Sequence, residues 1–241
     1  MNKQEMIQEL DGLIGTKLEP SKKRSRDDGK YGRAAEEALG IEENNSKKAD
    51  LVLDDGSAYE IKTTNGKSNQ TLFHRKADHL CPELGINSCR ELFDRYPDTQ
   101  KEPKPDNPQR KCFNVDLKTT GFNKQDWRLV VNETKIIAEH RSDGNVLTWD
   151  IEKLKETAME KLEKKIDIIV DKQGAVQGYE IHEGFCTDQF IAMIKSGEIN
   201  MSVQMRFDPQ AKKDSDIWKD RGMGWRCPPK KAGKLYLKEG K

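Results

Sequence analysis

The sequence predicts an α/β fold in which helices flank a mixed central β-sheet. Three observations lead to this prediction. Several segments have the apolar spacing of helices, residues 50–62 have the pattern of a β-hairpin, and short apolar runs such as 127–131 and 166–170 are typical of strands. Because the helical and strand segments alternate along the chain, we expect the helices to pack against a common sheet.

Four segments are predicted to be helices, at residues 5–14, 33–39, 151–165 and 187–195. The first and second stop at Gly15 and Gly40, and the fourth begins at Thr187, a suitable N-cap. The longest helix has one apolar stripe, formed by Ile151, Leu154, Ala158 and Leu162. This stripe indicates a helix that packs on a core.

The remaining segments are predicted to be strands or loops. Beyond the hairpin, strands are expected at residues 112–118, 127–131, 135–139, 146–149, 166–170 and 199–207. In the last of these, Ser202, Gln204 and Arg206 alternate with apolar residues, so we expect one polar face. Residues 97–111 contain four prolines and are expected to be an exposed loop, and residues 218–234 a Gly/Pro-rich tail segment.

Composition limits the possible classes of protein. Charged residues make up 35% of the chain and the net charge is +1, so a nucleic-acid partner is not implied by overall charge. Local basic clusters lie at residues 22–26, 101–111 and 230–231. The five cysteines include no CxxC pair and suit a reducing cytoplasm. No window approaches the roughly 18 apolar residues of a membrane span, so we expect no membrane association.

The hairpin contains side chains that suit metal-assisted hydrolysis of a phosphodiester. Asp50 opens its first strand and Glu60 lies on its second, and residues paired across such a ladder are about 5 Å apart. Lys62 projects from the same face as Glu60, and the Ile61 carbonyl lies between them. Mg²⁺ prefers such hard oxygen ligands, and a lysine beside the attacking water can orient it. We therefore predict a Mg²⁺ site here.

Spacing alone does not select this motif, because Glu-x-Lys also occurs at residues 102–104, 133–135 and 163–165. Asp106 with Asp116 and Lys118 repeats the whole spacing. Asp106, however, is followed by Asn-Pro-Gln-Arg, which is unsuited to a partner strand, so we reject this rival. Cross-strand salt bridges on an ordinary surface hairpin remain the alternative interpretation of the first set.

Beyond spacing, the motifs resemble a known family. Ala49-Asp50 with Glu60-Ile61-Lys62 resembles the PD-(D/E)xK nuclease core, with Leu72-Phe73 following at a suitable distance. Glu36 resembles the helix glutamate that precedes this core in MutH-like nucleases and in the MvaI/BcnI family of Type II restriction endonucleases. Residues 220–226 resemble that family's Asp-His-Gly-Thr-x-Phe-Arg signature, except that Arg221 and Met223 replace the histidine and threonine.

The resemblance implies a restriction-endonuclease-like fold in a single chain, 1–241, with a cleft between a catalytic part at about 20–120 and a DNA-recognition part at about 121–241. It implies a monomer in a prokaryotic cytoplasm, with a cognate DNA methyltransferase in the same cell. The expected reaction is Mg²⁺-dependent cleavage of double-stranded DNA at a short CC-N-GG type site, leaving a 5′-phosphate.

The resemblance also implies roles for individual residues. Asp50 and Glu60, with the Ile61 carbonyl, would be metal ligands, Lys62 would activate water, and Glu36 would be a supporting carboxylate. The residues expected to contact DNA are Lys30, His74, Arg206, Asp208, Asp220, Arg221 and Arg226.

These DNA contacts differ in their basis. An arginine such as Arg221 can bind guanine O6 and N7 in the major groove. His74 and Arg206 fit ordinary polar surface positions equally well, and the basic residues 22–26 fit an arm that contacts phosphates.

Three alternatives remain open. The first is a MutH-like nicking repair enzyme, and the second is a DNA-binding protein on an inactive nuclease fold. The third is an unrelated protein with a salt-bridged hairpin.

Overall fold

The computed structural model describes residues 1–19, 30–41, 49–96, 107 and 109–237, without the side chains of Lys30 and Asp216. The predicted basic arm at 22–26, most of the loop at 97–111 and Asp106 of the rival motif lie outside this part. The chain forms two compact units. The first consists of Met1–Gln70, Ala158–Gln189 and Pro228–Lys241, and the second of Thr71–Thr157 and Phe190–Cys227.

Each unit is therefore built from separate stretches of sequence. The strands are β1 (Leu51–Val52), β2 (Ala58–Thr64), β3 (Gln70–His74), β4 (His79–Leu80), β5 (Lys111–Leu117), β6 (Trp127–Val131), β7 (Lys135–His140), β8 (Gly144–Asp150), β9 (Lys164–Val170), β10 (Val176–Glu183), β11 (Asn200–Phe207) and β12 (Trp218–Cys227). The helices are α1 (Lys3–Leu13), α2 (Lys30–Ala38), α3 (Cys89–Arg95), α4 (Ile151–Leu162), α5 (Thr187–Lys195), α6 (Asp214–Ile217) and α7 (Pro229–Ala232).

The first unit contains a sheet with the strand order β1-β2-β9-β10. The predicted hairpin is present, because β1 and β2 pair antiparallel with Leu51 opposite Tyr59. β2 and β9 run parallel. One face of this sheet packs in a core with the first two helices, and the buried residues of this core include Met6, Leu10, Ala34, Ala35, Tyr59, Ile61, Ile166 and Ile168. The opposite face of β2 and β9 is consequently left to their polar residues.

The second unit contains two four-stranded sheets, with the orders β3-β12-β11-β5 and β4-β8-β7-β6. β11 is a central strand that pairs antiparallel with both β12 and β5. Trp149 and Trp225 are fully buried, and their rings meet edge to face at 5.7 Å. Since large aromatic side chains bury much apolar area, these two residues are a major part of the unit's core.

Most of the predicted elements are confirmed, including the helices near 5–14, 33–39 and 187–195 and the strands at 127–131 and 135–139. The helix predicted to continue to Lys165 instead ends at Leu162, because Lys164 and Lys165 already belong to β9. The tail predicted at 218–234 is wrong for its first half, which is the ten-residue strand β12. Trp225 packs this strand into the core, whereas the glycines at 222 and 224 made the segment resemble a loop in the sequence.

The predicted polar face of β11 needs a similar correction. Ser202 is buried, and Gln204 and Arg206 are half-buried, because strands lie on both sides of β11. The strands β3, β4 and β10 and the helix α3 were not predicted. None of the helices in the part of the chain described above has the length and apolar character that a membrane crossing needs.

Candidate active site

Asp50 and β2 form the centre of the candidate site in the first unit. Asp50 lies just before the short strand β1, and its Oδ2 accepts a hydrogen bond of 2.8 Å from the Ile61 amide. The Asp50 carboxylate thus takes the place of a backbone carbonyl as the hydrogen-bond acceptor for β2, beyond the last residue of β1 that pairs with it. Because a residue in a strand directs its N–H and C=O groups to the same edge, the Ile61 carbonyl also faces the edge occupied by Asp50.

Glu60 and Lys62 project from the same face of β2, on either side of Ile61. Lys62 Nζ donates a hydrogen bond of 2.5 Å to Glu60 Oε1. The side chain of Glu60 is 12% exposed and that of Lys62 is 26% exposed, so both are partly buried but still reach solvent. The ammonium group therefore balances one carboxylate of the site and remains accessible to a further anion.

Glu36 completes the cluster from α2. The buried residues Ala34 and Ala35 are small and allow this helix to pack closely on the sheet. Burial raises the pKa of Glu36, and the negative charges of Asp50 and Glu60 raise it further, while Lys62 and Arg33 act in the opposite direction. The structure thus brings together all four residues predicted for catalysis.

These groups fit a hard divalent cation. Two carboxylates and the Ile61 carbonyl offer oxygen ligands near one strand edge, which is the chemistry that Mg²⁺ prefers. Burial is the largest cause of the raised pKa of Glu36, and the charges of Asp50 and Glu60 add to it, so a cation bound beside these carboxylates would favour the ionised form of Glu36. The alternative interpretation, a hairpin held only by cross-strand salt bridges, does not account for three carboxylates near a single lysine.

His74 and the 220–226 segment lie together in the second unit. β12 bulges between Asp220 and Met223, and Gly222 adopts a φ of +84° there. A Cβ atom added to Gly224 would lie 3.1 Å from His74 Nε2, and one added to Gly222 would lie 3.3 Å from His74 Cδ2. The exposed His74 therefore rests on a glycine surface, and the bulge leaves Arg221 exposed beside it.

The other residues predicted to contact DNA are less uniform. Asp220 Oδ1 accepts a hydrogen bond from the Gly222 amide, and Asp208 Oδ1 accepts one from Asn107 Nδ2, both at 2.8 Å. Arg226 lies at the far end of β12, about 15 Å from Arg221 by the rise of a strand. Arg206 is half-buried on β11, and the side chain of Lys30 lies outside the described residues.

A buried ionic network on the same face as Glu60 and Lys62 was missed by sequence reasoning. Lys165 Nζ lies 2.6 Å from Asp167 Oδ2, and His182 Nε2 lies 3.1 Å from the same oxygen. Gln70 Nε2 donates to Asp167 Oδ1 at 2.7 Å. Burial would raise the pKa of Asp167, but the interactions with His182, Lys165 and Gln70 together outweigh it and keep this pKa below its ordinary value.

Asp167, His182 and Glu180 also lie close enough to hold a metal ion, with ligand atoms within 4.8 Å of one another. The Lys165 ammonium, however, already occupies Asp167 Oδ2 and would repel a cation. The sequence signal for this network was the alternation of Lys165 and Asp167 with isoleucines in a strand whose other residues after Lys164 are apolar.

Two solved structures resemble the protein over nearly its whole length. The first is described as a restriction endonuclease MvaI–cognate DNA substrate complex, with 15% identity, a TM-score of 0.73 and 98% coverage of both chains. The second is restriction endonuclease MvaI in the absence of DNA, with 12% identity, a TM-score of 0.51 and coverage of 98% of this chain and 97% of that chain. At these identities the likeness concerns the fold, and it confirms the predicted restriction-endonuclease-like fold.

No curated protein matches the chain. The model of the MvaI/BcnI restriction endonuclease family matches residues 7–236. Because this match covers nearly the whole sequence, the protein belongs to the MvaI/BcnI restriction endonuclease family, as its motifs predicted, and is by this membership a DNA nuclease.

Proposed function

We propose that this protein is a Type II restriction endonuclease that hydrolyses double-stranded DNA with Mg²⁺ at a short CC-N-GG type site and leaves a 5′-phosphate. The observation that most supports the proposal is the hydrogen bond between Asp50 and the Ile61 amide. This bond sets a carboxylate beside Glu60 and Lys62, which are the two charged groups that the reaction requires. Family membership supports DNA as the substrate.

Each residue of the site has a separate role in this proposal. Asp50, Glu60 and the Ile61 carbonyl would hold Mg²⁺. When bound, the ion stabilises charge that develops on the phosphate and lowers the pKa of water. Lys62 Nζ exchanges its bond to Glu60 for hydrogen bonds to the attacking water and the phosphate. Glu36 would support the site as an additional carboxylate.

The second unit would supply the contacts that select the sequence. Arg221 presents a guanidinium that can bind guanine bidentately, and His74 lies beside it with a ring that can donate to or accept from a base. Arg206, Asp208, Asp220, Arg226 and Lys30 are further proposed DNA contacts. We also propose that the enzyme acts as a monomer and that a cognate methyltransferase protects host DNA.

Cleavage of supercoiled plasmid DNA tests the catalytic assignment. The wild type with Mg²⁺ should give discrete fragments, and sequencing of their ends would identify the site and the cut position. Lys62→Ala and Asp50→Ala should each reduce the cleavage rate by at least about a hundredfold while DNA affinity is retained. The matched control is Lys118→Ala, in the rejected Asp116-Leu-Lys118 motif, and it should cleave at the wild-type rate.

Other outcomes would distinguish the alternatives. Nicked circles that never become linear would favour a nicking repair enzyme. DNA binding that Mg²⁺ never converts into cleavage would favour a DNA-binding protein on an inactive nuclease fold. Full activity of either Lys62→Ala or Asp50→Ala would overturn the assignment of the site.

A further inference from the structure

Four charged residues form an ordered array across the parallel strands β2 and β9. Glu60 is the register partner of Lys165, and Lys62 is the partner of Asp167. Their neighbours Ile61 and Ile166 belong to the buried core on the opposite face, so the four charged side chains project from one common face. Adjacent strands are about 4.8 Å apart. Each charge on β2 therefore lies opposite a charge of the other sign on β9.

The Lys165–Asp167 pair cannot act through solvent or by touching DNA. Lys165 is 0% exposed and Asp167 is 4% exposed. Gln70, which is also buried, binds both residues, since its Nε2 donates to Asp167 and its Oε1 accepts from Lys165 at 3.1 Å. The ring of Tyr236 lies 5.8 Å from Lys165 Nζ and stacks on His182 at 4.8 Å. The pair is thus enclosed on the face that bears Glu60 and Lys62.

Such a pair is not explained by stability alone. Removing two charges from water costs several kcal/mol per ion, and apolar side chains of similar volume often stabilise a fold equally well. Apart from Lys164 at its start, the rest of β9 is apolar, with Ile166, Ile168 and Val170 buried on its other face. The charged residues of β9 instead match those of β2, because Lys165 is paired with Glu60 and Asp167 is paired with Lys62.

We propose that Lys165 and Asp167 are positioning residues that hold Glu60 and Lys62 in their reactive arrangement, a role that rests on the proposed nuclease function. Lys165 provides a fixed positive charge opposite Glu60, and Asp167 provides a fixed negative charge opposite Lys62. Gln70 and His182 hold the pair in place. The array therefore fixes the side-chain positions of Glu60 and Lys62 on β2 before the metal ion or DNA binds.

The test uses Lys165→Met and Asp167→Asn in the full chain, each retaining most of the side-chain volume. Single-turnover cleavage with saturating enzyme and Mg²⁺ should slow by about tenfold to a hundredfold, since small displacements of reacting groups have effects of this size. DNA affinity without metal should stay within about twofold, because neither side chain reaches the surface. Glu180→Gln is the matched control, since Glu180 also contacts His182 but has no partner on β2, and it should cleave normally.

Amide hydrogen exchange supplies a readout that does not depend on cleavage. Exchange in residues 58–64 should accelerate by at least about tenfold in both variants, while α1 of the same unit keeps its wild-type protection. If either variant fails to fold, Gln70→Met removes one hydrogen bond from each member of the pair without leaving a charge unpaired. This variant should show the same changes at smaller amplitude.

Wild-type cleavage rates per folded molecule and unchanged exchange in residues 58–64 would overturn the proposal, as would equal acceleration of exchange in β2 and α1. Failure of the nuclease function would look different. In that case the wild type itself would not cleave DNA, whereas the exchange comparison would still report on the array.

Discussion

Replacing Glu36 with glutamine should stabilise the protein and impair its activity under the same conditions. Burial and the neighbouring Asp50 and Glu60 raise the pKa of Glu36 above its ordinary value of 4.5. The folded protein therefore binds this proton more tightly than the unfolded chain does. Ionisation consequently costs stability as the pH rises from the ordinary pKa through the raised one, and the cost stays constant above that interval. Glutamine has nearly the same shape and does not ionise.

The expected gain in stability is modest, because Glu36 is only half-buried and solvent screens its interactions. We expect less than about 1 kcal/mol at pH 7.5, or at most about 2–4 °C in Tm for a chain of this size. The gain should disappear below about pH 4, where Glu36 is protonated in both the folded and unfolded states. Loss of the supporting carboxylate should lower the cleavage rate or the Mg²⁺ affinity by about tenfold to a hundredfold.

Thermal unfolding from pH 3.5 to 8, followed by circular dichroism without metal, measures the first effect, and single-turnover cleavage against Mg²⁺ concentration measures the second. Glu37→Gln, at the next position of α2, is the matched control and should change neither quantity. The reasoning would be refuted if Glu36→Gln had a lower Tm than the wild type at pH 7.5, or if its gain in Tm persisted undiminished at pH 3.5.

Three further predictions concern other parts of the molecule. Arg221→Ala should cost about 1–3 kcal/mol in affinity for the cognate duplex and far less for unrelated DNA in competition binding, and equal losses would exclude base recognition. Gly224→Ala should cost less than about 1 kcal/mol in urea unfolding, because its Cβ would lie 3.1 Å from His74 Nε2 and 3.3 Å from Thr71 Cγ2 and the exposed His74 ring has room to shift, and His74→Ala in the same chain should recover the part of this cost that comes from the histidine. Asp167→Asn should lower Tm at neutral pH, and the deficit should shrink below about pH 4, since the lowered pKa of Asp167 contributes stability only above that range.

The elements predicted well from sequence are those whose local pattern agrees with their tertiary environment. The hairpin at 50–62 combines an apolar strand with an Asp-Asp-Gly-Ser turn, and α4 has a regular apolar stripe whose members are all buried. β12 is the contrary case. Its bulge requires the positive φ of Gly222, and a second glycine precedes the core residue Trp225. In the sequence alone, these two glycines are typical of a loop.

The same distinction applies to the candidate site. Asp50, Glu60 and Lys62 lie within one hairpin, so their proximity could be predicted from the spacing of residues in a ladder. Lys165 and Asp167 join them only through the parallel pairing of β2 with β9, about a hundred residues further along the chain. No local pattern contains such a pairing. Gln70 enters the network by a similarly long-range contact, 97 residues from Asp167, whereas His182 lies only 15 residues from Asp167 on the adjacent antiparallel strand β10.

The sequence pattern of β9 nevertheless indicates that the strand does more than fill the core. Charged residues in buried strand positions conflict with the hydrophobic pattern around them, and such conflicts concentrate at functional sites. Glu36 shows a second conflict of the same kind, since it is a half-buried acid near two other acids. Both conflicts involve the charges of Glu60 and Lys62 rather than the apolar core. Both conflicts are expected if these residues serve a functional site at some cost to stability, and they are not expected if the hairpin is an ordinary surface element.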